Sequence, residues 1–256
     1  MLPLPPRTES APGAAAFAAA TAGLAVGERH AAAVEQILQG NVPSWARHLT
    51  PVRLQGSAGR ATIYVASDYS TIGSDADNLR MPLTLPAAIA LCRETDCWLP
   101  TPRMVDAIYA QSGLGLAPQP IPPSDSMTSN QHFLDHQRLV DEQLSGIDEG
   151  HQRVAAGELV AGHKKDIVLT EKLAQRRDRV AIYGWHRLNG TPIQPLSTAH
   201  VDWYADYSHG VRLVWGTTLV NGVPRRLVDV LADSAVAGLF SDEGVLDAQQ
   251  LLRQTQ

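Results

Sequence analysis

Three runs, LVAGHKKDIVLT (residues 159–170), RVAIYGWHRL (179–188) and GVRLVWGTTLV (210–220), decide the predicted fold. They are rich in β-branched and aromatic residues and are bounded by Gly, Asn and Pro, a composition typical of β-strands. We therefore expect a mainly antiparallel sheet within residues 157–222.

The sequence before this sheet favours helices. Strong helix formers fill residues 14–40 and end at Gly40, a residue typical of a helix C-terminus. Apolar residues recur at helical spacing in residues 85–95, 101–113 and 127–144. A strand near 61–66, followed by an exposed polar loop over 68–78, is the expected exception.

These patterns predict an α+β fold in which a helical N-terminal half packs on a mainly antiparallel sheet formed by the C-terminal half. We expect an extended Pro-rich leader over residues 1–15 and a single globular domain over 16–256. Within that domain the predicted parts are helical (16–150), sheet-rich (157–222) and again helical (223–256).

Composition limits the possible partners. The chain has 256 residues, 44% of them hydrophobic, and a formal net charge of -5, so no basic field would attract nucleic acid. No run approaches the roughly 18 apolar residues that a membrane span requires. The Pro-rich start is typical of what remains after signal removal, so we expect a secreted or periplasmic protein that meets an extracellular polymer or a small-molecule substrate. Neither a cofactor nor an oligomeric state follows from the sequence.

The two cysteines, Cys92 and Cys97, lie five residues apart without a nearby His to complete a zinc site. Free cysteines are commonly buried, so we expect a structural role for both. A local disulfide is the alternative in an exported protein.

Reactive side chains concentrate between His163 and Arg212. Such a density costs folding energy unless the polar groups are paired or used in a site, so we place the candidate functional region here. Its members are His163, Lys164, Lys165, Asp166, Tyr183, Trp185, His186, His200, Asp202, Tyr204, Asp206, Ser208, His209 and Arg212.

Within residues 181–213, YSHGVRL resembles the SHGCVRL element of L,D-transpeptidases, and AIYGWH resembles the strand of that family that ends in a second His. The resemblance implies that His209 and the upstream His186 position and deprotonate a nucleophile, and that Arg212 binds a carboxylate or fixes the loop. The family's nucleophilic Cys is missing, because Val211 follows Gly210 directly.

The whole chain is also similar to secreted bacterial proteins of unassigned activity. The shared order of motifs stands here at Asn41 to Pro43, Ile72 to Asp75, Leu99 to Asp106 and His163 to Gly210. This similarity implies a domain built from several motifs and carries no reaction with it.

Without a Cys, Ser208 is the next candidate nucleophile, oriented by Asp206 or Asp202. Neighbours in an extended strand point to opposite faces, so His209 would not be its base. The candidate bases are His186, His163 and His200, while Tyr183, Lys164 or a backbone N–H could steady an oxyanion. The aromatic side chains of Trp185 and Tyr204 either pack the sheet or stack on sugar rings.

A metal site is the alternative, since two or three imidazoles with a carboxylate can bind zinc. The candidate ligands are His163, His186, His200, His209, Asp202 and Asp206. The HFLDH segment, with His132 and His136, is a weaker candidate, for which we favour a solvated helix face.

Two functions remain open. The first is an extracytoplasmic hydrolase or acyl transferase acting on a polymer such as cell-wall peptide or glycan, with His209 and His186 as acid–base groups. The second is a non-catalytic binding or structural module, in which the same residues form a buried hydrogen-bond network.

Overall fold

Helices and antiparallel sheets share the chain in the computed structural model, which describes residues 1–253. The predicted α+β class is therefore confirmed. The α-helices are α1 (Ala14–Ala20), α2 (Val26–Leu38), α3 (Leu85–Glu94), α4 (Pro102–Ala110), α5 (Asn130–Ser145), α6 (Gly150–Ala155), α7 (Leu227–Ala232) and α8 (Ala248–Arg253). Short 3₁₀ helices cover Ser44–Arg47, Glu171–Gln175 and Ala237–Leu239.

The strands form two larger sheets and two short pairs. They are β1 (Leu49–Gly56), β2 (Gly59–Ala66), β3 (Thr71–Gly73), β4 (Asn78–Arg80), β5 (Cys97–Trp98), β6 (Leu114–Gly115), β7 (Val160–Ala161), β8 (Lys165–Ile167), β9 (Ile182–His186), β10 (Pro192–Ser197), β11 (His209–Gly210), β12 (Val214–Trp215), β13 (Thr217–Val220) and β14 (Val223–Arg226). The six-stranded sheet runs β14-β13-β2-β12-β5, with β1 paired to β2. The four-stranded sheet runs β10-β9-β8-β11 and is antiparallel except between β8 and β11.

The six-stranded sheet contains strands from both halves of the chain. The predicted division into a helical N-terminal half and a sheet-forming C-terminal half is therefore only partly present. Strands β1 and β2 form an antiparallel hairpin in the N-terminal half, because alternate residues such as Val52, Leu54 and Ile63 point into the core. The first residues of the predicted C-terminal helical region form β14 instead, and helices α7 and α8 follow it.

The leader has neither helix nor strand up to Gly13, and it packs against the body of the protein. The expected extended form over residues 1–15 is interrupted by a turn at Glu9 and Ser10, where the Ala11 N–H donates to the Thr8 carbonyl, and by the start of α1 at Ala14. Leu2 is buried, and the Arg47 guanidinium donates hydrogen bonds to the carbonyls of Leu4 (2.8 Å) and Pro5 (2.7 Å). The main apolar core accordingly contains side chains from Leu2 to Leu252.

The expectation of an exposed loop over residues 68–78 is wrong for its first part. Asp68 through Gly73 are buried, and exposed residues begin beyond them. The Tyr69 and Ile72 side chains pack in the interior, and the Asp68 carboxylate is buried with them because it is paired with an Arg80 nitrogen at 2.7 Å.

Cys92 and Cys97 are both buried and free, which supports the structural role over a disulfide. Burial raises the pKa of the Cys97 thiol to about 12, so the thiolate that reacts or binds metal is disfavoured. Over residues 1–253, no helix has the length and apolar character needed to cross a bilayer.

Candidate functional site

The four-stranded sheet has two polar faces, which the strand register defines. His209 of β11 is in register with Lys165 of β8, while Asp166 of β8 is in register with Tyr183 of β9. Residues paired across neighbouring strands share a face. We call the side that carries His209 and Lys165 the His209 face, and the side that carries Asp166 and Tyr183 the Asp166 face.

A half-buried aromatic layer covers the His209 face. The ring of His200 stacks on Tyr204, with centroids 4.5 Å apart and planes at 16°. Both rings lie 5.8 Å from the His209 ring. Beside them, Lys165 Nζ lies 4.8 Å from the centre of the Trp185 ring, a cation–π contact.

Ser208 and Asp206 form a short hydrogen bond behind this layer. Ser208 Oγ donates to Asp206 Oδ1 at 2.5 Å, and the Ser208 N–H donates to the same oxygen at 2.8 Å. Tyr204 Oη donates to the other carboxylate oxygen at 3.2 Å. Within residues 1–253, Ser208 Oγ has no hydrogen bond to an imidazole, so the structure joins serine to carboxylate rather than serine to histidine.

The charges on this face follow from burial. Burial lowers the pKa of His209 to about 4, although Asp206 opposes the shift, so the imidazole is neutral at pH 7. Burial would raise the pKa of Asp206, but His209 and the Ser208 hydroxyl hold it below its ordinary value. The face therefore presents a neutral imidazole next to an ionised carboxylate.

Several buried polar atoms near the His209 face have no hydrogen-bond partner within the described part of the chain. They include both ring nitrogens of His209, the indole N–H of Trp185 and Nε2 of His30 on α2. Buried polar groups in folded proteins are normally paired with protein, water or ligand. Among residues 1–253, unpaired buried nitrogens also occur at His136, His163 and Arg212. The His209 face is a candidate site because its unpaired atoms lie beside the Ser208–Asp206 pair.

On the Asp166 face, by contrast, most polar side chains are paired, and Arg212 Nε is the exception among the described residues. Asp166 Oδ2 accepts a hydrogen bond from Tyr69 Oη at 2.9 Å. Asp106 of α4 binds both Tyr183 Oη (3.0 Å) and His186 Nε2 (2.9 Å) through Oδ1. Burial raises the pKa of Asp166 to about 6, against the opposing effect of Arg212.

A kink in β9 decides which face His186 joins. Strict alternation would place His186 with Gly184, on the side of Lys165. Gly184 and Trp185 instead have φ of 103° and 55°, and left-handed backbone at a bulky residue such as Trp is strained. The kink turns His186 towards Asp106 and leaves the Trp185 ring over Lys165.

The structure therefore does not bring His186 and His209 together. They belong to β9 and β11, which β8 separates by two strand spacings, roughly 10 Å. His186 stacks on Tyr109 at 4.5 Å, whereas His209 faces His200 and Tyr204. The pairing of the two histidines implied by the transpeptidase resemblance has no counterpart in this geometry.

Arg212 and Lys164, the predicted anion- and oxyanion-binding residues, are buried and bound to the main chain. Arg212 donates to the carbonyls of Ala66 (2.9 Å) and Val160 (2.7 Å). Lys164 Nζ donates to the carbonyl of Tyr207 at 2.6 Å. Burial lowers the pKa of Lys164 to about 7.

His163 belongs to a third, deeper group. Its Nε2 lies 3.3 Å from Asp68 Oδ1, and Asp68 in turn accepts from Arg80 Nε at 2.8 Å. Burial lowers the pKa of His163 to about 4. His136 is also fully buried, so the expected solvated face is wrong at this position, whereas the half-buried His132 bonds to Ser124 near the surface.

The histidines and carboxylates proposed as metal ligands are not grouped together in the described part of the chain. Among the described residues, no three His, Cys, Asp or Glu side chains are grouped so that they could hold an ion. The candidate ligands are divided between the two sheet faces and the deeper group around Asp68.

Sequence reasoning missed four residues that shape these clusters. Asp106 is the last residue of the motif from Leu99 to Asp106, so the sequence marked it, but the motif indicated no role for its carboxylate. His30 lies in an alanine-rich helix, Asp68 is the first residue of the segment expected to be exposed, and Arg80 follows that segment. Only tertiary contacts reveal their partners.

No protein-family model, curated protein or solved structure gives a significant match to this chain.

Proposed function

We propose that the protein is a hydrolase or acyl transferase that acts outside the cytoplasm on a polymer such as cell-wall peptide or glycan, with its reactive groups on the His209 face. The observation that carries the proposal is the pairing of Ser208 with Asp206 next to an imidazole whose two ring nitrogens lack partners on residues 1–253. Nucleophile, carboxylate and neutral imidazole are the components of acyl transfer.

In the proposed reaction Ser208 Oγ bonds to the acyl carbon of the substrate. The hydroxyl proton passes to the Asp206 carboxylate. Asp206 returns that proton to one ring nitrogen of the neutral His209, whose other ring nitrogen releases its own proton to the leaving oxygen or nitrogen as the bond to the acyl carbon breaks. Water, or an acceptor amine, then attacks the acyl-serine and restores the Ser208 hydroxyl. Burial strengthens these interactions because the local dielectric is low.

The aromatic surroundings support a polymeric substrate. The Trp203 side chain is 62% exposed. It is followed, two residues later in the chain, by the buried residues Ala205 and Asp206. Exposed Trp and half-buried Tyr side chains stack well on sugar rings. Since Ser208 and His209 are themselves buried, the proposal requires the His200–Tyr204 layer to move when substrate enters.

The test is turnover of purified peptidoglycan, p-nitrophenyl acetate and a p-nitroanilide by the whole chain and its variants. Ser208→Ala and His209→Gln are each expected to reduce kcat about 10²-fold or more. The exposed His151 supplies the control, His151→Gln, which should retain full turnover. Full turnover in Ser208→Ala, or none in the unmodified protein on every substrate, would contradict the proposal.

A non-catalytic module is the second candidate, and one observation favours it. The Arg212 and Lys164 side chains donate hydrogen bonds to backbone carbonyls, which is typical of residues that stabilise a fold. In that case His209→Gln would change thermal stability and no turnover would be found.

A further inference from the structure

We propose that His30 is a neutral hydrogen-bond donor to the substrate, whose Nε2–H binds a carbonyl or carboxylate oxygen held next to His209. This inference rests on the proposed function and adds a residue outside the stretch between His163 and Arg212. It assigns helix α2 a part in the site.

The protonation state of His30 follows from one hydrogen bond. The backbone N–H of Thr84 donates to His30 Nδ1 at 3.0 Å. A ring nitrogen that accepts a hydrogen bond carries no proton, so the proton of the neutral ring is on Nε2. Tautomer and ring orientation are thus set by the main chain.

The Nε2–H has no acceptor among residues 1–253, although His30 is fully buried. A buried donor without a partner is unfavourable, so this site is completed when an oxygen atom arrives. Burial, and then the neighbouring Arg29 and His209, lower the pKa of His30 to about 3. The ring therefore remains a neutral donor at neutral pH, which suits an oxygen that gains negative charge during reaction.

The main chain places His30 beside the His209 face. Thr84 binds the His30 ring, and the N–H of the next residue, Leu85, donates to the carbonyl of Asp202 at 2.9 Å. Asp202 lies two residues from both His200 and Tyr204, the pair that covers His209. The Trp185 indole N–H is a second unpaired donor on the same face.

Two substitutions separate the donor from the structural bond. In His30→Asn the amide oxygen can still accept from Thr84, but nothing replaces the Nε2–H. In His30→Gln the amide N–H reaches the Nε2 position, but the acceptor for Thr84 is lost. We expect His30→Asn to lower kcat for p-nitrophenyl acetate about 10²-fold and His30→Gln by less than about 10-fold.

Thermal stability should show the opposite order, with His30→Asn more stable than His30→Gln. A merely structural role predicts instead that activity follows stability. Unchanged kcat/KM in His30→Asn, while the unmodified protein turns over, would overturn the role of His30 and leave the proposed function intact.

A second measurement does not depend on turnover. Long-range ¹H–¹⁵N spectra of the imidazoles should show His30 protonated at Nε2 from about pH 5 to 8, and added acetate, the acid product of the ester probe, should shift that proton. A shift in a protein without turnover supports the His30 site and removes the proposed function. An unprotonated Nε2, or no shift with acetate, overturns the His30 inference.

Discussion

The two faces of the four-stranded sheet carry similar polar residues, but these residues differ in whether they have hydrogen-bond partners. On the Asp166 face, Asp166, Tyr183 and His186 bond to Tyr69 and Asp106, and the unpaired atom there, in the described part of the chain, is Arg212 Nε. On the His209 face, the His209 ring and the Trp185 indole have no partner over residues 1–253. Paired polar groups stabilise a fold, and unpaired ones are available to a ligand. The comparison therefore separates a scaffold from a candidate site within the same sheet.

The strongest test of the scaffold is Arg212, which packs 4.2 Å from the Tyr69 ring on the side of Asp166. Arg212→Met would leave the carbonyls of Ala66 and Val160 without their donors. We expect a loss of about 3 kcal/mol or more in the free energy of unfolding. In a protein of this size that corresponds to roughly 6–12 °C in Tm.

Calorimetry of Arg212→Met and Arg212→Lys would measure this effect. Lys keeps the positive charge, but its ammonium group cannot reproduce the planar guanidinium, whose two NH groups donate to two separate carbonyls. We therefore expect Arg212→Lys to have a Tm between those of the unmodified protein and Arg212→Met. A Tm unchanged by Arg212→Met would show that this side of the sheet is not the scaffold.

The pH dependence of stability should distinguish the faces by sign. His209 titrates near 4 when folded and 6.5 when unfolded, so its contribution to stability is present above pH 6.5 and is lost as the pH falls towards 4. Asp166 titrates near 6 when folded and 3.8 when unfolded, so its contribution is present below pH 3.8 and is lost as the pH rises through 6.

Because burial also lowers the pKa of His30, His136 and His163, the histidines should dominate. We expect Tm to fall by several degrees between about pH 6.5 and 4. The fall should be shallower in His209→Gln and steeper in Asp166→Asn, as measured by thermal unfolding at each pH. Identical slopes in the two variants would contradict the opposite signs.

Asp106→Asn should give the smallest effect. The Asp106 side chain is half exposed, so its bonds to Tyr183 and His186 are partly replaced by water. We expect a loss of about 1 kcal/mol in unfolding free energy, measured by urea titration. A much larger loss in turnover than in stability would instead move the reactive site to the Asp166 face.

Local patterns predicted the longer helices and part of the sheet. The helices α3, α4 and α5, and the strand β2, stand where periodicity and capping residues indicated, because these signals act within a few residues. Thr101, for example, accepts from the Met104 N–H at the start of α4. The burial of Asp68 was missed because its partners, Arg80 and His163, are distant in sequence or in a different element.

The sequence alone determined the α+β class and the concentration of reactive side chains between His163 and Arg212. Only the tertiary structure decided which of them meet. The left-handed backbone at Trp185 moves His186 to the face opposite His209, and the Thr84 N–H selects the tautomer of His30. Both depend on packing between separate elements, whereas periodicity and composition report only on neighbours along the chain.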